Sequence, residues 1–450
     1  MSLTTALAPM LKAEIAEISV AGFKSISKPE TIEIRPVTIL AGANSSGKSS
    51  MMQPLLLLKQ TLEATYDPGP LLLNGPNVKF DKADELLSRI GDGGSLASFQ
   101  MTVQLSTKQK LQIRFQKEQK HGFEIKHLEV SGKAQPIKLW PGMSQEEIIK
   151  TGIVDGRDPT HELPKQYKQG KWRIKQSRCF LEPEWVVSES SASKTSLGVP
   201  GGNPAAQWET IIPEVIHLPG FRGNPERRWP VTSRGPAYPG TFEKYTASVI
   251  LRWMEENEAN LGGLNLALQT LKLTSGVYAK RHYDVQVELY VGRLLDSPPN
   301  SPENQVNIAD VGLGVSQILP VLVALEEAKP GQLVFVEDAE SHLHPQAQFV
   351  LAQILTSAAD RGVRVVVETH SSHLLLGVQT QVAEGKFQPD KVKLHWFQRR
   401  KDGHTIVRSA DLDEAGRFGD WPQDFDDVAL QTQKEYLDAA HERLMAAKNG

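Results

Sequence analysis

The sequence predicts an α/β fold built on a mixed sheet, with an antiparallel β layer and a helical lobe beside it. Three observations predict it. The apolar run Val37-Thr38-Ile39-Leu40 passes directly into a glycine-rich loop and then a helical pattern, which reads as strand, loop, helix. Helical patterns at Val315 to Leu325 and Gln346 to Ala358 alternate with short apolar runs at Leu333 to Val336 and Val363 to Val367. Such runs suit parallel strands buried on both faces. Finally, Phe99 to Leu105 and Leu111 to Phe115 alternate at period two, the pattern of a half-buried antiparallel hairpin.

The remaining elements follow in order. Glu14 to Leu40 reads as short strands with a turn at Ser27 to Pro29, and Ser49 to Leu62 as a helix with Met52, Leu55, Leu56 and Leu58 on its apolar face. The stretch 135–209 is the least periodic, and Ser188 to Pro204, rich in Ser, Gly and Pro, reads as a surface loop. Phe242 to Leu273 returns to helical spacing and Asp284 to Val291 alternates as a strand. A hairpin is expected from Val392 to Gln398 and Thr405 to Arg408, turned at Asp402-Gly403, and a charged amphipathic helix at Leu430 to Lys448. The expected organisation is a discontinuous head over 1–134 and 210–410, an inserted segment at 135–209 and a tail at 411–450.

Composition narrows the function classes. With 450 residues, 40% of them hydrophobic, the chain can bury a large core and exceeds one compact lobe. A net charge of −3 gives no global attraction to nucleic acid or anionic membrane. One cysteine, Cys179, excludes an internal disulfide and a multi-cysteine zinc site, and reads as a small buried hydrophobe. Met1 to Lys12 lacks the pattern of a signal peptide, and the longest apolar clusters, Pro54 to Leu58 and Ile318 to Leu325, fall short of the ~20 residues that span a bilayer. A cytoplasmic chain with no membrane partner is expected. No heptad repeat is long enough for a coiled coil.

Four motifs carry chemistry. Gly42-Ala-Asn-Ser-Ser-Gly47-Lys48-Ser49 matches G-x-x-x-x-G-K-[ST] in full. Its glycines let backbone amides turn toward phosphate oxygens and the helix behind presents its positive end. Asn44, Ser45, Ser46, Gly47 and Ser50 supply amides and hydroxyls, Lys48 reaches the β and γ phosphates, and Ser49 ligates Mg²⁺. Glu337-Asp338 ends an apolar strand where one acid, Glu337, can support the metal and the other, Asp338, can polarise water; Glu340 is a second candidate base. Asp310-Val-Gly312-Leu-Gly314-Val-Ser316-Gln317 enters an apolar helix, and reads either as a second anion site or as a turn with Ser316 as N-cap. Glu368-Thr369-His370-Ser371 ends a further strand, placing His370 at the same sheet edge as a γ-phosphate contact or as a structural histidine.

In that order the motifs resemble those of ABC-type ATPases, and with Gly22-Phe-Lys-Ser25, Ser341-His-Leu-His-Pro345, Pro219 to Arg227 and Gly419-Asp-Trp421-Pro422 the chain resembles the OLD-like branch of these enzymes in bacteria. The resemblance spans about two thirds of the sequence. It implies an ABC-type P-loop ATPase head that uses ATP and Mg²⁺, with Asp338 at the usual catalytic position, His370 as the switch histidine, and Gly314 and Ser316 serving the nucleotide of a second copy. ATP would then close a homodimer or a larger self-assembly. Members usually carry Asp then Glu where this chain has Glu337 then Asp338, and Ala339 replaces the following proline. A shorter base implies slow turnover. His342 and His344, near Glu340, read either as a metal site or, in the pattern the resemblance implies, as a structural part of the partner-facing loop.

OLD-like proteins often continue into a metal-dependent nuclease domain. About 80 residues follow His370 here, and their acids Asp411, Asp413, Asp424, Asp426 and Asp427 read as a solvated linker. A separately encoded effector is therefore expected, a nuclease above all, as in two-component anti-phage systems such as Septu. The competing function is a DNA-associated ATPase of repair or chromosome maintenance. Nucleic acid stays open as a partner through Arg222, Arg227, Arg228 and Trp229, whose other reading is a loop that braces the fold.

Overall fold

The computed structural model of the chain describes residues 13–90, 94–118, 122–132, 135–154, 170–187, 196–198, 202–232, 237–256, 258–295, 301 and 303–419. The expected helix at Leu430 to Lys448, the acids Asp424, Asp426 and Asp427, the segment Met1 to Lys12 and most of Ser188 to Pro204 lie outside them.

The chain opens with β1 (Ile15–Ala21), β2 (Glu30–Glu33) and β3 (Val37–Gly42), then α1 (Lys48–Glu63). Four antiparallel strands follow: β4 (Ser98–Leu105), β5 (Lys110–Glu118), β6 (Gly122–Ser131) and β7 (Ile137–Leu139). A hairpin of β8 (Gly170–Ser177) and β9 (Phe180–Val187) precedes β10 (Ile216–Leu218). Next come α2 (Thr246–Glu255), α3 (Asn260–Thr270), β11 (Val277–His282) and β12 (Gln286–Gly292). The last part alternates as α4 (Leu313–Glu327), β13 (Leu333–Val336), α5 (Pro345–Asp360), β14 (Arg364–Thr369) and α6 (Ser372–Ala383), ending in the hairpin β15 (Val392–Arg399) and β16 (Thr405–Ala410).

Two six-stranded sheets organise these elements. The central one runs β10-β13-β14-β3-β15-β16, parallel throughout except for β16; the other, β2-β1-β4-β5-β6-β7, is antiparallel. The fold class is thus the expected α/β arrangement of a mixed sheet, an antiparallel layer and a helical lobe. Alternation along each central strand explains how one sheet serves two cores, because successive side chains leave opposite faces. Val334, Val336, Val365 and Val367 pack with Trp253, Leu268 and Leu322 of α2, α3 and α4. Leu333, Phe335, Val366 and Leu40 pack instead with Leu55, Leu56, Phe99 and Ile113 of α1 and the antiparallel sheet. Each buried aliphatic side chain contributes about 1.5–3 kcal/mol, so the all-apolar strands are dictated by two-sided burial.

The stretch 135–209 shares the second core: Leu139, Ile148, Trp172, Phe180 and Trp208 are buried in it, and so is Cys179, whose thiol burial pushes up. The helical spacing over Phe242 to Leu273 resolves into two helices joined near 256–259. One local reading changes: α4 starts at Leu313 behind Gly312, so Ser316 lies within its first turn and donates to Leu313 O at 3.1 Å, which is not an N-cap position. Among the described residues no helix is long and apolar enough to cross a membrane.

Candidate functional site

The carboxyl ends of β3, β13 and β14 meet at one edge of the central sheet, where open α/β folds bind ligands. The loop after β3 takes the shape its glycines permit. Gly42 has φ 149 and Gly47 φ 106, both in the left-handed region. A Cβ on Gly42 would lie 2.3 Å from Phe397 O, and one on Gly47 2.5 Å from Thr405 Oγ1. Thr405, buried at the start of β16, donates to Ser46 O at 2.7 Å, and its hydroxyl is 2.7 Å from that of Ser25. Ala43, Asn44 and Ser45 are exposed at the loop's tip, while Ser46 is buried. No side chain caps α1, which leaves the amides of Lys48, Ser49 and Ser50 as anion donors.

Lys48 is buried, and its ammonium donates to Gly42 O at 3.1 Å, Ala43 O at 3.2 Å and His370 Nε2 at 2.9 Å. His370 must accept there, so its Nε2 carries no proton; burial and then the Lys48 charge hold its pKa below the ordinary range. Asp338 Oδ1 lies 3.8 Å from the same nitrogen. Asp338 itself has φ 44, a strained conformation for a non-glycine residue, and its side chain is 41% exposed. Glu340 is buried and accepts from His370 N at 2.6 Å, with burial raising its pKa.

Glu337 is fixed from behind. Its Oε2 accepts from Gly220 N at 3.2 Å and its Oε1 lies 3.1 Å from His217 Nε2. Asn77 Nδ2 donates to Gly240 O at 2.9 Å and contacts His217 Nδ1 at 3.1 Å, which makes Nδ1 the acceptor and Nε2–H the donor to Glu337. His217 is 1% exposed and stacks on Phe335. A further carboxylate joins the edge: Glu368 Oε1 accepts from Ser49 Oγ at 2.8 Å and lies 3.9 Å from Lys48 Nζ. Burial first, then the neighbouring Glu337 charge, pushes Glu368 up to about 8.

Arg222 faces this group from the loop after β10. It is buried, donating through Nη2 to Glu337 O at 2.5 Å and Asp338 O at 3.3 Å, and through Nη1 to Gln317 O at 3.3 Å. Burial lowers its pKa to about 10, which leaves it charged at neutral pH. Arg227 pairs with Asp310 and Arg228 with Glu288. Of the two readings of this arginine group, these contacts are those of a loop that braces the fold, and Arg222 belongs to the acid cluster.

An open cleft of about 680 Å³ runs along the loop, lined beyond it by Lys24, Gln53, Arg89, Glu368, Arg399 and Asp402. Its size suits a nucleotide. Gly314 and Ser316 are partly exposed and are not among the described residues lining it. The donor set has the chemistry a hard divalent cation takes: the Ser49 hydroxyl with the Glu368 carboxyl 2.8 Å from it. Among the described residues no cluster of three acidic, His or Cys side chains forms a closed cage. The sequence supplied the loop, Glu337, Asp338, Glu340 and His370, which all meet here. It offered no role for Glu368, His217 or Thr405 and did not tie Arg222 to the acids; an acid closing the apolar run Val365-Val-Val was the signal for Glu368.

Two segments match models of known families. Residues 14–150, which hold the phosphate loop, match the "AAA ATPase domain". Residues 296–376, which hold the acids and His370, match an AAA domain whose description also names an AbiEii toxin and a Type IV TA system. Both segments are thus similar to AAA-type ATPase domains. No curated protein matches it. Among solved structures, an SmcHead bound to the C-winged helix domain of ScpA is similar at 12% identity and a TM-score of 0.48, covering 89% of this chain and 99% of that one. The SMC head domain from Thermotoga maritima is similar at 11% identity and a TM-score of 0.40, with 88% and 98% covered. An Smc head domain with an extended coiled coil, bound to the C-terminal domain of ScpA and derived from Pyrococcus furiosus, is similar at 10% identity and a TM-score of 0.43, with 95% and 100% covered.

Proposed function

We propose that this chain is an ABC-type switch that binds and slowly hydrolyses ATP, closes with a second copy around the nucleotide, and controls a separately encoded effector, a nuclease above all, in antiviral defence. The observation that carries the reading is a chain of contacts at the sheet edge: Lys48 to His370, His370 to Asp338, and Ser49 to Glu368 with the Glu337 charge beside it. In it Asn44 to Ser50 bind the phosphates, Lys48 exchanges its loop carbonyls for phosphate oxygens, and Asp338 polarises water. Glu340, holding the His370 amide, acts as a positioning residue. Mg²⁺, held by Ser49 with Glu337 behind it, would neutralise phosphate charge.

Gly314 and Ser316 are partly exposed in the first turn of α4, which supports their use on the nucleotide of a second copy. Two nucleotides would then bias closed against open pairs. The toxin and TA system named for the model over 296–376 favour an effector whose action must be held in check. The discontinuous head over 1–134 and 210–410 remains the proposed organisation.

The test is self-association of the purified chain with ATP, measured by light scattering, beside Ser316→Arg. Wild type is expected to pair on adding ATP; the variant stays single and binds nucleotide about as well. Loss of nucleotide binding by the single Ser316→Arg chain contradicts the reading of Ser316. Co-purification with a nuclease encoded next to the gene supports the effector role, whereas salt-dependent binding of duplex DNA moves the function to DNA maintenance.

A further inference from the structure

The second oxygen of Glu368 has no use in the nucleotide loop as described so far. Glu368 Oε2 is buried without a hydrogen-bond partner, on a side chain only 7% exposed. Burying a carboxyl oxygen without a partner is costly in either protonation state, and an apolar residue like the three valines before it would avoid the cost. Pairing with Lys48 does not account for it. The ammonium has three nearer acceptors, and Glu368 stands at 3.9 Å.

Ser49 gives the missing reason. A hydroxyl has one proton and two lone pairs. In this site the proton is already taken by Glu368 Oε1 at 2.8 Å, so both Oγ lone pairs are free for a cation. The sheet order explains why this acid does it. β14 lies between β3 and β13, which puts Glu368 beside Ser49, while Glu337 stands one strand further away and is held by His217 and Gly220.

We propose that Glu368 is a positioning carboxylate of the divalent-cation site, setting the Ser49 hydroxyl through Oε1 and accepting a cation-bound water through Oε2. This rests on the reading of Gly42 to Ser50 as a nucleotide loop. It adds a partner for Ser49 from the strand that carries His370.

The experiment titrates Mn²⁺ into the chain with a non-hydrolysable ATP analogue and reads bound metal by paramagnetic resonance, for wild type, Glu368→Gln, Ser49→Ala and the double variant. Analogue affinity is also measured in chelator. Glu368→Gln is expected to weaken Mn²⁺ about 10–100-fold, the range for groups that orient metal ligands. Its metal-free analogue affinity should equal or exceed wild type. The double variant should lose less than the two single losses multiplied, because one unit is being removed twice. Mn²⁺ affinity within about twofold of wild type in folded Glu368→Gln, or fully multiplicative losses, overturns the proposal. Should Glu368→Gln fail to fold, Glu368→Asp keeps the charge but withdraws it by one methylene, and unchanged Mn²⁺ affinity there overturns the proposal equally. Wild type that binds no analogue, with or without metal, instead defeats the nucleotide-loop reading.

Discussion

Arg222 holds Gln317 at two points: its backbone N–H donates to Gln317 Oε1 at 3.1 Å and its Nη1 to Gln317 O at 3.3 Å. The same guanidinium grips the carbonyls of Glu337 and Asp338. One buried cation therefore ties the acidic strand end to the helix that carries Ser316. Arg222→Lys keeps a charge but loses the planar fork, and should cost about 2–4 kcal/mol by denaturant unfolding. ATP turnover should fall at least about tenfold, because the Asp338 backbone loses its brace. A folded variant with normal turnover would contradict this.

Gly42→Ala should damage the loop more than a typical surface change. The new Cβ would meet Phe397 O, a backbone atom of β15 that cannot swing aside. We expect nucleotide affinity to drop at least about tenfold with a stability loss of about 1–3 kcal/mol. Calorimetric titration of nucleotide and a melting curve check both.

Lys48→Ala should abolish ATP hydrolysis and raise the His370 pKa, since the ammonium beside it is one of the two causes that lower it. Burial, the larger cause, remains, so the value should move only part of the way back. An imidazole titration followed by NMR measures the shift; a fall would refute the contact.

His395 makes stability depend on pH away from the site. Its ring is buried between Ser409 and Glu33 O, and burial holds its pKa at about 4. The folded value lies below the unfolded one, so its contribution is complete above pH ~6.5 and is lost as pH falls toward 4. The loss should approach about 3 kcal/mol for this group. His395→Gln should flatten the acid limb of the stability profile; an unchanged limb would count against it.

Local pattern made the elements legible and left their partners hidden. Val37 to Leu40 and Leu333 to Val336 are strands wherever they sit, because two-sided burial writes itself into each run. That Glu368 would stand at Ser49 depends on β14 entering between β3 and β13, a pairing of residues more than 300 positions apart that no window of sequence records. Arg222 stayed open between two readings for a related reason: three arginines in seven residues suit a patch or a brace, and burial against Gln317 is decided by α4, nearly a hundred residues on. The β8–β9 hairpin was unreadable since its core contacts, such as the Trp172–Trp185 ring pair at 5.2 Å, come from irregularly spaced residues.

Lys48 donates to the carbonyls of its own loop and to His370, so its protons already have acceptors within the protein. Any incoming phosphate competes with those internal acceptors rather than meeting a bare cation. A weak anion then gains little from the exchange, whereas a triphosphate that also reaches His370 replaces all three at once. On the proposed nucleotide reading, that competition should favour long phosphate chains over single phosphates.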